Sequence, residues 1–389
     1  MSLIPQHAID DLLARTNLVS LAGEFVRLRG GGQAKIGPCP LCSPDPQSKS
    51  ATRFKVWPHK FVCAVCCKGG NAIALVMARE NLSFPAAVER LGGTREIDPK
   101  EAARIAAKAQ AQREKQERIA ALYREQERSR CFEIWRHAKQ YGDDLIRAYH
   151  GKRDLLTPPD LRLRQLPRVP YYRDGKGSAV LHTGPAIIAP ILSAEHKFSG
   201  LHFTWLDLDR EKGKAKIVAP DGEEFPAKKV RGTKTGGYML VQGDFASATT
   251  TIAAEGRETV QAFYTSMIRA GKSIEGTLFL AGIDLGNLAG RAMETVAHPF
   301  LKSRPPASGR CSTGGRSVRV PNDIPDLDAP AMPVPEQTEL LIGLGDGDSD
   351  EFTTRQAMTR FARRHAKPSR RIRTPFAPPG EDYDSWRRA

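Results

Sequence analysis

The segments Thr251-Ile252-Ala253-Ala254-Glu255-Gly256 and Glu339-Leu340-Leu341-Ile342-Gly343-Leu344-Gly345-Asp346 decide the fold of the C-terminal part of the chain. Each is a short apolar run that ends in a carboxylate beside a glycine. Such runs, bounded by turn residues, read as strands buried on both faces. A helix follows the first, with Val260, Phe263, Tyr264 and Met267 directed inward. Thr277–Ala281 reads as a further strand, 353–365 as a helix and Arg371–Phe376 as a final strand. Strand–helix alternation predicts an α/β domain whose mostly parallel sheet is covered on both faces. Ligands of such sheets lie beyond the carboxyl ends of the strands. Glu255 and the run Asp346-Gly347-Asp348-Ser349-Asp350 would therefore face one crevice. Clustered carboxylates suit Mg²⁺, a hard cation that keeps waters and takes phosphate oxygens. Two such ions would hold the attacking and leaving oxygens of a nucleotidyl transfer. The acidic run also begins like a calcium loop, but no glutamate stands where that loop needs its bidentate ligand.

Working toward the N-terminus, Lys228-Lys229-Val230-Arg231-Gly232-Thr233-Lys234 precedes the first strand. Lys228, Lys229, Arg231 and Lys234 would supply cations for a phosphate-rich substrate facing the acids, the alternative being an ordinary solvated turn. Residues 131–245 read as a mixed, strand-rich region, opening with a helix over Cys131–Tyr149 and containing strands at 186–192 and 201–206. Residues 98–130 are rich in Ala, Glu, Gln, Lys and Arg, and Glu114 with Arg118 forms a helical (i, i+4) pair. They read as an exposed helical connector. Residues 299–337 contain eight prolines and read as a long irregular insertion.

Residues 1–97 form the other compact unit. Five of the seven cysteines lie between Cys39 and Cys67. Cys39-x2-Cys42 and Cys63-x2-Cys66 are two turns able to place four thiolates tetrahedrally around one Zn²⁺. Four protein ligands leave no open position, so the zinc is expected to be structural and the unit to depend on it for folding. Buried free cysteines and a redox dithiol are the alternatives. Cys67 competes with Cys66 for the fourth place, and the x2 spacing favours Cys66. Cys131 and Cys311 stand alone. Phe54–Trp57 and Lys60–Cys63 read as strands joined by Pro58-His59, a helix follows Gly69-Gly70-Asn71, and Ser83 reads as the cap of another. Arg53, Lys55, Trp57, Lys60 and Phe61 interleave cations and rings, a pattern that suits single-stranded DNA. The alternative for Trp57 and Phe61 is that they fill a small core.

The 389 residues carry 59 Lys plus Arg against 44 Asp plus Glu, a net +15 that favours a polyanionic partner. No stretch approaches the length of a membrane span, the N-terminus lacks a signal-peptide profile, and the few clustered cysteines suit a reducing compartment, so a cytoplasmic location is expected. The whole reads as a multidomain α+β and α/β chain: zinc-binding unit 1–97, connector 98–130, basic mixed unit 131–245 and catalytic α/β unit 246–389.

Residues 4–92 resemble the zinc-binding domain of bacterial replicative primases of the DnaG type. The marks are Ile4-Pro5, Ile9-Asp10-Asp11-Leu12-Leu13, Cys39-Pro40-x-Cys42, Phe61-x-Cys63-x2-Cys66, Gly69-Gly70-Asn71-Ala72-Ile73 and Leu82-Ser83-Phe84-Pro85-Ala86-Ala87-Val88-Glu89-Arg90-Leu91. The cellular enzymes usually have His where this chain has Cys42. Ala254-Glu255-Gly256 followed by Asp346-x-Asp348 resembles the Toprim domain that these primases share with topoisomerases. Pro379-Gly380-Glu381-Asp382-Tyr383-Asp384 resembles the primases' further acidic motif. The resemblance implies that Glu255 acts near the reacting phosphate and that Asp346 and Asp348 hold Mg²⁺ or Mn²⁺. Asp382 and Asp384 would be auxiliary, and Asp350 extends the run toward the topoisomerase form. The family tends to carry an acid four residues after the glutamate, where this chain has Thr259 beside Glu258. The implied activity is synthesis of RNA primers from ribonucleoside triphosphates on single-stranded DNA. The chain ends soon after Asp384 and contains no phosphate-binding loop, so a replicative helicase is expected to be a separate protein. The alternatives are a catalytically weak DNA-binding replication accessory of a mobile element and a Toprim-type nuclease.

Overall fold

The computed structural model describes residues 4, 6–30, 34–43, 45–47, 52–93, 99–138, 142–174, 177–302 and 317–388. The chain divides into two compact units, Met1–Gln112 with Pro299–Val318 and Arg113–His298 with Arg319–Ala389.

The first unit opens with α1 (Gln6–Arg15) and α2 (Leu18–Phe25), the latter started by Asn17, whose side chain accepts from the Val19 and Ser20 amides. An antiparallel sheet follows in the order β1 (Lys35–Gly37), β2 (Phe54–Val56), β3 (Phe61–Cys63), β4 (Gly69–Gly70). Alternation decides its faces: Phe54, Val56, Phe61 and Cys63 are buried, while Lys55 and Val62 are exposed. Asn71 caps α3 (Ala72–Glu80), and α4 (Phe84–Arg90) closes the region. Ser83 precedes α4 as expected, but its side chain makes no capping bond. Leu12, Leu18, Phe54, Leu75 and Val88 meet in one core.

The expected connector is helical, but the expected helix over Cys131–Tyr149 requires correction. A single helix, α5 (Pro99–Ala138), runs through both, and α6 (Asp144–Lys152) starts separately after Gly142 with Asp143 at its N-cap. Glycine lacks helix propensity, and aspartate favours the cap over the helix interior.

The second unit contains two larger sheets. β5 (Arg164–Tyr172), β6 (Val180–Leu192), β7 (Phe198–Trp205) and β10 (Lys228–Gly232) form an antiparallel sheet in the order β10-β7-β6-β5, with a small pair, β8 (Ile217–Val218) and β9 (Glu224–Phe225), inserted between β7 and β10 in sequence. The other sheet has the order β11-β13-β12-β16-β17, formed by β11 (Met239–Gln242), β12 (Thr250–Ala254), β13 (Thr277–Ala281), β16 (Leu340–Leu344) and β17 (Arg371–Arg373). All neighbours in it are parallel except β11. β12 and β13 are almost wholly buried, as continuous apolar runs require. The helices are α7 (Arg257–Arg269), α8 (Leu285–Ala289), α9 (Glu351–Arg364) and α10 (Tyr383–Arg388). The last strand stops at Arg373, before the expected Phe376, because Pro375 has no amide to donate.

The proline-rich insertion is more ordered than expected. β14 (Thr295–Lys302) runs into it, β15 (Ser317–Pro321) lies within it, and Ala329 and Met332 are buried. Residues 303–316, including Cys311, lie outside the described residues. Prolines leave carbonyls without ladder partners, and arginines of the C-terminal stretch supply donors instead. Arg364 donates to the Ala329 carbonyl at 2.9 Å, and Arg370 to those of Pro335 and Thr338, each at 2.8 Å. Arg360 donates to the Gly290 carbonyl at 3.0 Å. Arg360 and Arg370 therefore belong to the interior.

Candidate functional site

The two CxxC turns bring four sulfurs together. Cys39, Cys42, Cys63 and Cys66 place their Sγ atoms within 4.8 Å of one another. The shorter separations are 3.8 Å for Cys39–Cys66 and 3.7 Å for Cys42–Cys63. A tetrahedron with zinc–sulfur bonds of about 2.3 Å has edges of about 3.8 Å, so the donor set fits zinc. The Leu41 amide donates to Cys39 Sγ and the Val65 amide to Cys63 Sγ, both at 3.3 Å. Burial pushes the Cys42 thiol up to about 11 and Cys39 higher still. At Cys63 burial is outweighed by the amides of Cys66 and Val65, which hold it below its ordinary value. Cys66 and not Cys67 completes the set. The backbone turns away at Cys67, which adopts a left-handed φ of 56°.

Around this centre Arg53, Lys55 and Lys60 are exposed, and the Lys60 ammonium lies 5.2 Å from the half-buried Trp57 ring. Phe61 differs from the expectation for a stacking residue. It is 3% exposed and packs on Phe54 with centroids 5.6 Å apart, because its strand position faces the core.

The acids are assembled by sheet register. β12 lies between β13 and β16, with Ala254 opposite both Ala281 and Leu344. Glu255 and Asp346 thus leave neighbouring strands at the same carboxyl end. No side chain fits at Gly347, where a Cβ would run into the Pro378 carbonyl. The Gly347 amide donates to the Glu381 carbonyl at 2.9 Å and its carbonyl accepts from Gly380 at 2.8 Å. These bonds bring the loop of Asp382 to that of Asp346 and Asp348.

Burial and the neighbouring Asp346 push Glu255 up to about 7. Burial likewise raises Asp346 to about 6, with Asp348 and Asp382 adding to the effect and the Thr259 hydroxyl opposing it. Two acids raised by burial and by neighbouring carboxylates are the signature of a place that favours a cation. Among the described residues no three carboxylates gather as tightly as the four sulfurs do. The arrangement suits a hard divalent ion that keeps waters and shares phosphate oxygens.

The other expected ligands have protein partners of their own. Asp350 caps α9 by accepting from the Thr353 amide at 2.8 Å and meets His298 Nε2 at 3.0 Å. Asp384 is 1% exposed and pairs with Arg153 at 2.7 Å. Asp382 accepts from the Ser385 amide at 2.7 Å and from Lys212 at 3.2 Å, and burial is overcome there so that it falls to about 2.

The basic run is also partnered. Lys228 donates to Glu258 at 2.8 Å, and Arg231 holds Glu127 through Nε and Nη2 at 2.9 and 2.6 Å. Lys234 pairs with Asp284. Lys229 donates to the Arg173 carbonyl at 3.0 Å and lies over the Tyr171 ring.

Three participants escaped the sequence reading, and a fourth, Thr259, was met there only as a departure from the family's acid. Asp284 caps α8 three residues after β13 and adds its charge to the field at Glu255. Lys212 lies 4.0 Å from Asp348. Burial and the neighbouring Lys228 push Lys214 down to about 7. Thr259 donates to Asp346. Lys212 and Lys214 sit in a Lys–Gly–Lys turn whose signal was available but resembles any surface turn.

Among known proteins, residues 4–106 match the CHC2 zinc finger family, the zinc ribbon of DnaG, and residues 125–240 match a domain of unknown function, DUF7146. The DNA primase of Pseudomonas aeruginosa is 38% identical over 91 residues, 23% of this chain and 13% of that protein. The DNA primase of Legionella pneumophila is 42% identical over 89 residues, 23% of this chain and 15% of that protein. The chain thus aligns with 13–15% of the length of these curated relatives. Among solved structures, the zinc-binding and RNA polymerase domains of Aquifex aeolicus primase give a TM-score of 0.35 at 14% identity, covering 99% of this chain and 82% of that one. A DnaG catalytic core gives 0.37 at 15% identity, covering 68% and 74%. No described helix is long and apolar enough to cross a membrane. Residues 4–106 are therefore similar to the CHC2 zinc finger of DnaG, their four cysteines fit structural zinc, and in the N-terminal portion the chain is similar to DNA primases.

Proposed function

We propose that this protein is a DNA primase that joins ribonucleotides on a single-stranded DNA template by Mg²⁺- or Mn²⁺-dependent nucleotidyl transfer. The observation that carries the reading is the register of β12 and β16, which sets Glu255 beside Asp346 in a chain that begins with a primase-type zinc finger. Glu255, Asp346 and Asp348 would hold the divalent ion, whose charge would be supplied to the phosphate oxygens of the incoming nucleotide. Lys212 lies by Asp348 and Lys228 acts on Glu255, with Lys214 beside Lys228, and these lysines would attract and orient the triphosphate. A 3′-hydroxyl forms the new bond to the α-phosphorus while the bond to pyrophosphate breaks, and catalysis is mainly positioning and charge neutralisation. Asp382, tied to Lys212, would hold the cation row in place. Arg53, Lys55, Trp57 and Lys60 would receive the template, with cations on phosphates and the Trp57 ring on a base. A helicase would act as a separate partner.

The test is synthesis of labelled RNA on single-stranded DNA by the zinc-loaded protein. Products that require template, ribonucleotides and Mg²⁺ or Mn²⁺ support the reading. Tight DNA binding with no product at any metal concentration overturns it in favour of a replication accessory. That second reading draws on one observation, the consumption of Arg231 and Lys234 by internal ion pairs.

A further inference from the structure

We propose that Thr259 is a positioning residue for Asp346, fixing the orientation in which its carboxylate receives a divalent cation. The inference rests on the primase reading of the same crevice. Thr259 lies in the first turn of α7, four residues after Glu255, and is 5% exposed. Its Oγ1 stands 3.1 Å from Asp346 Oδ1 and 3.2 Å from Oδ2. A β-branched side chain packed on a helix has few open rotamers, so the helix fixes the hydroxyl and the hydroxyl fixes the acid.

The chemistry of the donor matters. A hydroxyl gives one hydrogen and leaves the remaining lone pairs of Asp346 for a cation. A lysine or arginine there would neutralise the acid, and a carboxylate would add to the repulsion around Glu255. The adjacent Glu258 does not compete for the role. It is 4% exposed, and its oxygens are held by Tyr149 Oη at 3.1 Å, Arg257 Nη2 at 3.2 Å and Lys228 Nζ at 2.8 Å. Successive residues of one turn thus serve opposite charges: Glu258 anchors a cation of the crevice and Thr259 orients an acid.

The experiment titrates the full-length, zinc-loaded protein with Mn²⁺ alone and follows free Mn²⁺ by electron paramagnetic resonance. Wild type should bind at a site that Asp346→Ala removes. Thr259→Val should weaken that binding about 10–100-fold, the usual loss when the partner that orients a metal ligand is removed. Thr259→Ser should stay within about threefold of wild type because it keeps the hydroxyl. Thr259→Ala, which cannot overpack, should repeat the Val result, and circular dichroism with zinc content checks the fold of each variant. Wild-type affinity in both Val and Ala variants overturns the proposal. So does a Ser variant as weak as Val, since keeping the hydroxyl would then fail to preserve binding. A wild type that binds no more Mn²⁺ than Asp346→Ala overturns the metal-dependent reading itself and the proposal with it.

Discussion

The cysteine cluster and the acidic crevice are both places for a divalent ion, yet they are built in opposite ways. The four sulfurs come from two local turns, and pairing β2 with β3 supplies much of the geometry that joins them. The acids come from the ends of separate parallel strands, and the loop of Asp382 is brought in by bonds at Gly347. The first centre is closed and satisfies its metal completely, so metal binding becomes folding energy. The second leaves Glu255 and Asp346 raised by burial and by neighbouring carboxylates, a cost borne by a scaffold that is stable for other reasons. A site that stabilises the fold can be closed, whereas one that receives a substrate must stay open and unbalanced.

The sharpest way to break this comparison is Cys39→Ser. Structural zinc contributes on the order of 10 kcal/mol in small zinc units, so the variant should lose its zinc and the cooperative unfolding of its N-terminal unit. Metal analysis and hydrogen exchange over residues 34–93 measure both. Full zinc stoichiometry would remove Cys39 from the site. Chelation of the wild type should produce the same unfolding while leaving the parallel sheet folded.

Next in size is Glu258→Gln. Its carboxylate is buried among Lys228, Lys214, Arg257 and Arg153, and although burial alone would raise it, those cations hold it well below its ordinary 4.5. Removing its charge leaves buried cations uncompensated and should cost about 3–5 kcal/mol by denaturant titration of the second unit. A carboxyl depressed on folding contributes fully above its unfolded value and less as the pH falls below it. The gap between wild type and variant should therefore narrow below about pH 4. A gap that widens in acid contradicts the assigned sign.

Asp346→Ala should reduce primer synthesis about 100-fold or more, the scale of removing a principal electrostatic group. The metal-free melting temperature should stay unchanged or rise, because a repelling charge has gone. A marked fall in stability would place Asp346 with the closed, structural kind of centre. The smallest effect belongs to Asp350→Ala, which removes the α9 cap and should cost about 1 kcal/mol with synthesis within about twofold. A loss of synthesis as deep as that of Asp346→Ala would return Asp350 to the crevice.

Particular residues show how far the sequence could be read. Apolar runs placed β12, β13 and β16, because continuous burial leaves a composition that few other environments tolerate. The CxxC spacing named all four sulfurs, because turn geometry is local. The division of labour within Asp346, Asp348, Asp350, Asp382 and Asp384 was not legible. Asp384 was assigned to metal by motif, and a buried Arg153 far away in sequence claims it. The lysine run looked free, and Glu258, Glu127 and Asp284 turn out to hold Lys228, Arg231 and Lys234. The proline-rich insertion read as irregular because the arginines that satisfy its carbonyls come from a later helix and loop.

By itself, then, the order of residues determined which groups can bind a metal through neighbours a few positions apart, and which segments must be buried. Tertiary structure alone decided which charges face each other, because Coulomb partners and hydroxyl donors such as Thr259 are chosen by distance in space. A one-dimensional pattern records burial and turns, but it does not record which of several equivalent carboxylates a distant cation will reach first.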